Sequence, residues 1–262
     1  MSKHGALNTF GRSGNPVIRS DIFSSKASSS EDRMTLNGAV NKTGFLLFLT
    51  VLAATISWNF QGPIMLLVSV TGMFTAFISG IATFGFWFFF VGWLVKPRPY
   101  LAPKTAPIYA LGMGFLIGLI SEQMENIYPG IVIQAVSLTF FVAASLLLAY
   151  KTGLIKPTQN FWLIVFSATV GIFLTYIVNI FYSMLTGSSF SFLTDNGIFG
   201  IGISLFVVAI AALNLVLDFD IIEQADEQGA PKYVEWFGAM ALVATLIWLY
   251  IEILRLISKL RR

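Results

Sequence analysis

The sequence predicts an all-α integral membrane protein, a bundle of seven transmembrane helices. Three observations predict it. Of its 262 residues, 56% are apolar and only 11% are charged, whereas a soluble domain carries about 25% charged residues. The mean hydropathy is +0.79. The charges are gathered into short connectors with long uncharged runs between them. A charge at the bilayer centre costs at least ~2.5–3.5 kcal/mol, so those runs mark the spans.

The longest run, between Lys42 and Lys96, holds 53 residues without a charge. About 20 residues suffice to cross, so it must contain two spans, divided at Gln61-Gly62-Pro63 because Gly closes helices and Pro opens them. Span 1 is then about 43–60 and span 2 about 64–95, long enough to tilt or to bend near Gly80 or Gly85. Turn signals trim the later runs to span 3 at about 106–124, span 4 at 129–150 and span 5 at 160–184. Span 6 follows at about 197–219 and span 7 at about 234–257. The connectors are rich in Pro, Gly and Ser: Lys96-Pro97-Arg98-Pro99, Tyr128-Pro129-Gly130, Lys151-Thr152-Gly153 and Gly187-Ser188-Ser189.

Residues 1–42 differ in kind. They are polar and Ser-rich, with six basic and three acidic residues and no apolar signal-peptide core, and read as a disordered cytoplasmic tail. The seven-helix domain is then 43–262. The tail, the 2–3 loop (Lys96, Arg98, Lys104) and the 4–5 loop (Lys151, Lys156) are basic, and the alternate loops are not. Positive loops stay inside, which puts the N-terminus in the cytoplasm and makes a bacterial inner membrane the expected home. The chain end conflicts, because seven full crossings place Arg255, Lys259, Arg261 and Arg262 outside.

Composition also excludes chemistry. With no cysteine and a single histidine, His4, the chain lacks parts for disulfides, thiolate metal sites, a His-based triad or a His proton relay. A net charge of +3 is too thin for nucleic-acid binding. The Ser-Gly of span 2, Ser79-Gly80, lacks the sequence of an intramembrane serine protease, and no Gly-x-Gly-Asp is present. No enzymatic activity and no cofactor are expected.

The polar residues within spans are the informative ones, since they are expected to face the bundle interior. Span 5 carries Ser167, Gly171, Thr175, Asn179 and Ser183 at i, i+4 spacing, a ladder that fits either helix packing or a wet pathway. Gly72, Ala76 and Gly80 in span 2, and Ala110, Gly114 and Gly118 in span 3, form seams that let helices approach closely. In span 6, Asp218 shares a face with Asn214 and Ala211, a small polar stripe suited to the interior. Asp220, Glu223, Asp226 and Glu227 read as a solvated acidic surface. In span 7, Gly238, Ala241, Thr245, Trp248, Glu252, Arg255 and Lys259 follow 3–4 spacing. Glu252 there either pairs with Arg255 one turn on or faces Asp218. Two carboxyl groups in reach of each other share a proton, because both cannot ionise cheaply. Protonated, such a pair tethers spans 6 and 7; deprotonated, it repels itself or takes up a cation. Glu122 and Glu125, at the end of span 3, could form an acidic mouth that concentrates cations.

Several motifs together resemble a known family. They are Ser13-Gly14-Asn15-Pro16-Val17, Met34-Thr35-Leu36-Asn37-Gly38 with Lys42-Thr43, Tyr128-Pro129-Gly130-Ile131-Val132-x-Gln134-Ala135 and Leu217-Asp218-Phe219-Asp220. Gly229-Ala230-Pro231-Lys232-Tyr233-x-Glu235-Trp236 and Trp248-Leu249-Tyr250-Ile251-Glu252-Ile253-Leu254-Arg255 complete the set. In this order they resemble the bacterial branch of the Bax inhibitor-1 (transmembrane Bax inhibitor motif) superfamily. The resemblance implies a seven-helix bundle with span 7 near the centre, and a pH-sensitive calcium leak gated by a carboxylate pair on spans 6 and 7. By position the pair falls on Asp218 and Glu252, which would also be the Ca²⁺ ligands. The family's pair is two aspartates, and here the second is a glutamate. Glu122 matches an acidic position toward the pore.

Three functions follow as expectations. The first is a cation leak channel, with the lipid bilayer, calcium ions and protons as its partners. The second is a membrane interaction protein that modulates membrane proteases or other assemblies through its tail. The third, a proton-coupled secondary transporter, would be favoured by an internal repeat or by interrupted helices, and no such repeat is visible.

Overall fold

The computed structural model describes residues 33–60, 62–84 and 98–261. Seven long helices account for most of them: α1 (Leu36–Asn59), α2 (Pro63–Phe84), α3 (Ala102–Ile127), α4 (Ile131–Lys151), α5 (Gln159–Thr186), α6 (Ile198–Glu227) and α7 (Tyr233–Leu260). All seven are long and apolar enough to cross a membrane. The chain is an all-α, multi-pass membrane protein, and no strand occurs among the described residues. Of the apolar stretch of α7, 72% is buried, against 11–50% for the other six, as suits a central span.

Helix ends differ from expectation where a charged residue lies inside a helix rather than at its boundary. α1 begins at Leu36, so Lys42 lies inside it. α6 continues to Glu227, through the acidic run. Asp220 is buried and accepts a hydrogen bond from Gln224 Nε2 at 2.7 Å, whereas Glu223 and Glu227 are exposed as predicted. Residues 1–32 of the tail, with the motif at 13–17, and the end of span 2 with Gly85 and Lys96 lie outside the described residues.

The described residues form two compact units. The first holds α1, α2, α3, the end of α6 from Asp220 and the start of α7 to Ala244. Its helices meet at the small-residue seams. A Cβ on Gly118 would overlap the Ala54 carbonyl, one on Gly114 the Thr50 carbonyl, and one on Gly112 the Gly72 carbonyl. Backbones that close leave no room for a side chain, which is how membrane helices gain dispersion contacts without a hydrophobic driving force. Ser57 and Ser69 share a hydrogen bond of 3.2 Å between α1 and α2, and Ser69 Oγ donates to the Phe115 carbonyl of α3 at 3.2 Å.

The second unit holds α4, α5, α6 up to Phe219, and α7 from Thr245. The face of α5 that turns inward is not the small polar ladder. Trp162, Val165 and Ile172 are its buried residues, whereas Ser167 and Gly171 are exposed and Gly171 has open space around it. Thr175, Asn179 and Ser183 are half-buried, and Asn179 accepts the Phe190 N–H at 2.7 Å, fixing the loop after α5.

The unit also decides how span 7 ends. α7 runs unbroken to Leu260. Lys259 Nζ donates to the Gly200 carbonyl at 3.1 Å. Arg261 donates to the Pro129 carbonyl and to Gln134 Oε1, both at 2.8 Å. The end of α7 thus lies with the 3–4 and 5–6 connectors, at the opposite end of these helices from Lys151 and Lys156. By length and apolarity α7 is sufficient for a full crossing. Lys259 and Arg261 are tied to backbone carbonyls and an amide rather than left free.

Candidate functional site

Two sets of polar side chains around the interior carboxylates of the second unit carry the site. In the first, Asn214 Nδ2 of α6 donates to Thr169 Oγ1 of α5 and to the carbonyl of Ile210, both at 2.8 Å. One turn on, Asp218 has the Thr245 hydroxyl of α7 within hydrogen-bonding reach. Its Oδ2 is fully buried and has no hydrogen-bond partner among the described residues. A buried carboxylate oxygen without a donor is costly, and such exceptions call for an explanation.

The second set centres on Glu252, which is 2% exposed. Its Oε1 accepts from Tyr176 Oη at 3.0 Å, from Trp248 Nε1 at 3.3 Å and from Arg255 at 3.1 Å. Arg255 reaches Oε2 at 3.0 Å and also donates to Tyr176 Oη at 2.6 Å. The guanidinium stacks 5.2 Å from the centre of the Tyr176 ring. Glu252 is therefore neutralised by the residue one turn on, and its lone pairs are filled by two aromatic donors. This is the local pairing with Arg255.

No hydrogen bond joins Asp218 to Glu252. Thr245, the partner of Asp218, and Glu252 are seven residues apart on α7, about 10 Å along the axis at 1.5 Å per residue. The two carboxylates thus sit in separate layers, each with its own partners. Among the described residues no group of three or more His, Cys, Asp or Glu side chains could hold a metal.

Glu122 and Glu125 are half-buried at the C-terminal end of α3, and Glu122 accepts a hydrogen bond from Asn126 one turn on. They belong to the first unit.

That unit holds a further buried carboxylate. Glu235, in the first turn of α7, is 2% exposed. It pairs with Lys42 of α1 and accepts the Thr35 N–H at 2.8 Å. Thr35 is the N-cap of α1, its hydroxyl accepting from the Gly38 N–H at 3.0 Å. In a capping box the residue three after the cap returns a carboxylate to the cap N–H. Here that residue is Gly38, because the space its side chain would fill is taken by Glu235. The strand-like pairing of Arg33 with Pro231, the Met34 N–H on the Ala230 carbonyl at 2.8 Å, and Trp236 against Lys42 and Phe45 complete the contact.

Two sequence motifs nearly 200 residues apart therefore form one structural element. A family model described as Bax inhibitor 1 like matches residues 15–262. The chain belongs to the Bax inhibitor 1 like family. Neither a curated protein nor a solved structure matches it.

Within this Bax inhibitor 1 like chain, sequence reasoning did not assign roles to Thr169, Tyr176 and Glu235. Thr169 and Tyr176 are on the face of α5 that also carries Trp162, Val165 and Ile172, and a hydroxyl within that apolar stripe with a second one at its end was the available signal. Glu235 had a signal as well, since a carboxylate in an apolar helix is expensive unless paired.

Proposed function

We propose that this member of the Bax inhibitor 1 like family is a cation leak channel for Ca²⁺, with Asp218 as its proton-sensitive element. The observation that carries the reading is the buried, unpartnered Oδ2 of Asp218 within a membrane-spanning helix. An intramembrane carboxylate marks an ion or proton path by default. A cation, a proton and a water compete for that oxygen. Asn214, Thr169 and Thr245 add the uncharged oxygens a hard cation prefers. Glu252 is the second member of the proposed gating pair, reached by Asp218 only when α6 and α7 shift and Arg255 releases its carboxylate. Glu122 and Glu125 would concentrate cations at an entrance. The bacterial inner membrane with a cytoplasmic N-terminus is the proposed setting.

The test is Ca²⁺ flux into proteoliposomes holding an internal dye, stepped from pH 8 to pH 6. Wild type is expected to conduct less at pH 6, and Asp218→Asn to lose that response. Glu252→Gln is expected to shift it. Unchanged pH dependence in Asp218→Asn removes Asp218 from the mechanism, and a wild type that conducts nothing at either pH ends the resting-leak reading.

A further inference from the structure

We infer that α5, α6 and α7 close a hydrophobic gate between the two polar layers, and that Glu252 positions the gate's aromatic side chains. The inference rests on the leak reading above. Ile172 of α5 and Val207 and Ile210 of α6 form one buried apolar cluster, with Ala168, Ile203, Tyr176 and Trp248 packed against it. A polar–apolar–polar order recurs on all three helices, the lower polar partner on α6 being Gly200 with Lys259 rather than Glu252. On α5, Ile172 lies between Thr169, which bonds Asn214, and Tyr176, which bonds Glu252. On α7, Trp248 lies between Thr245 and Glu252. On α6, Ile203, Val207 and Ile210 lie between Gly200, which accepts from Lys259, and Asn214. Three helices thus place apolar side chains at one level, with polar partners above and below.

A collar of one to two turns is about 5–10 Å thick. Its lining is apolar apart from Ser204, whose hydroxyl is committed to the Gly200 carbonyl at 3.1 Å, and such hydrophobic constrictions close by excluding water. Tyr176 and Trp248 belong to both layers: their rings pack on the collar while Oη and Nε1 donate to the same oxygen of Glu252. Whatever draws Glu252 away from those donors frees two members of the collar at once. Glu252 acts on the passage through these rings, as a positioning residue.

The experiment wets the collar without enlarging it. Full-length Val207→Thr and Ile210→Thr are reconstituted with an internal Ca²⁺ dye at pH 8, with Val165→Thr, buried on α5 outside the cluster, as the control. The collar variants are expected to raise Ca²⁺ flux about tenfold or more, as for any barrier lowered by one tenfold step, and Val165→Thr to leave it unchanged. Tyr176→Phe and Trp248→Phe, which keep a ring but lose the donor to Glu252, are expected to raise it less. Val207→Thr is nearly isosteric, so it reports even where Ile210→Thr folds poorly. If wild type is silent and the threonine variants conduct, the gate stands and the resting leak falls. If wild type conducts and answers to Asp218→Asn, while the threonine variants match wild type, the leak stands and the gate falls. Silence in every variant overturns the gate as well, since hydrating it should then have opened the route.

Discussion

Glu235 accepts the backbone N–H of Thr35 at 2.8 Å across 200 residues of sequence. The same carboxylate pairs with Lys42, whose side chain is 18% exposed. It supplies to α1 the capping acid that the local sequence lacks, and Gly38 is the residue that makes room for it.

Removing this acid leaves a half-buried ammonium and an orphan N–H. Glu235→Ala is expected to destabilise the protein by about 3 kcal/mol, the range for breaking a buried pair. Adding Lys42→Met to Glu235→Ala should restore part of that loss but not all, because the Thr35 N–H still lacks an acceptor. Thermal unfolding in detergent for the two singles and the double checks it. Additive losses would show that the two side chains do not interact.

Two glycines on different faces should respond oppositely to one methyl group. Gly118→Ala drives a Cβ into the Ala54 backbone and is expected to cost about 1–3 kcal/mol, as overpacking does. Gly171→Ala points into open space and should be neutral or stabilising by up to about 1 kcal/mol, the difference in helix propensity. Melting temperatures of the two variants decide it. Equal losses would mean that the exposed face of α5 is covered by something in solution.

Arg255 and Glu252 should couple energetically. Arg255→Gln strands the Glu252 carboxylate, which is 2% exposed, while Arg255 itself is 39% exposed. Screening reduces the effect of the charge, so the expected loss is about 1–3 kcal/mol. Glu252→Gln in the Arg255→Gln background should recover stability, and a double-mutant cycle measures the coupling. A coupling near zero would leave Tyr176 and Trp248 as the partners that matter.

The absence of native cysteine makes topology directly measurable. Leu260→Cys and Ser188→Cys are expected to react with a membrane-impermeant maleimide from one side, and Thr152→Cys from the other. With the 4–5 loop inside, as its lysines predict, the first two label in intact cells. Labelling of Leu260→Cys together with Thr152→Cys would mean that α7 does not cross.

Much of this protein is legible from where its charges are missing. The seven spans follow from the cost of an ion in hydrocarbon, which is a property of each residue by itself. Errors in the boundaries arise where a charge is paired: Lys42 sits inside α1 because Glu235 meets it, and Asp220 is buried with Gln224 beside it. The buried residues of α5 also depart from its small polar ladder for a related reason. Ser167 and Gly171 turn outward, while Thr169 and Tyr176 turn inward to Asn214 and Glu252.

The sequence by itself determined the fold class, the number of crossings and the two carboxylates that stayed in the membrane, because hydropathy and the cost of burying charge act locally. Only the tertiary structure decided which partners those carboxylates have. Asp218 lies with Thr245, and Glu252 with Tyr176, Trp248 and Arg255, because helix register brings particular turns to the same height. It also decided that α7 ends at the 3–4 and 5–6 connectors, where backbone carbonyls take up Lys259 and Arg261. A tally of loop charges counts residues and has no term for a hydrogen bond that holds one.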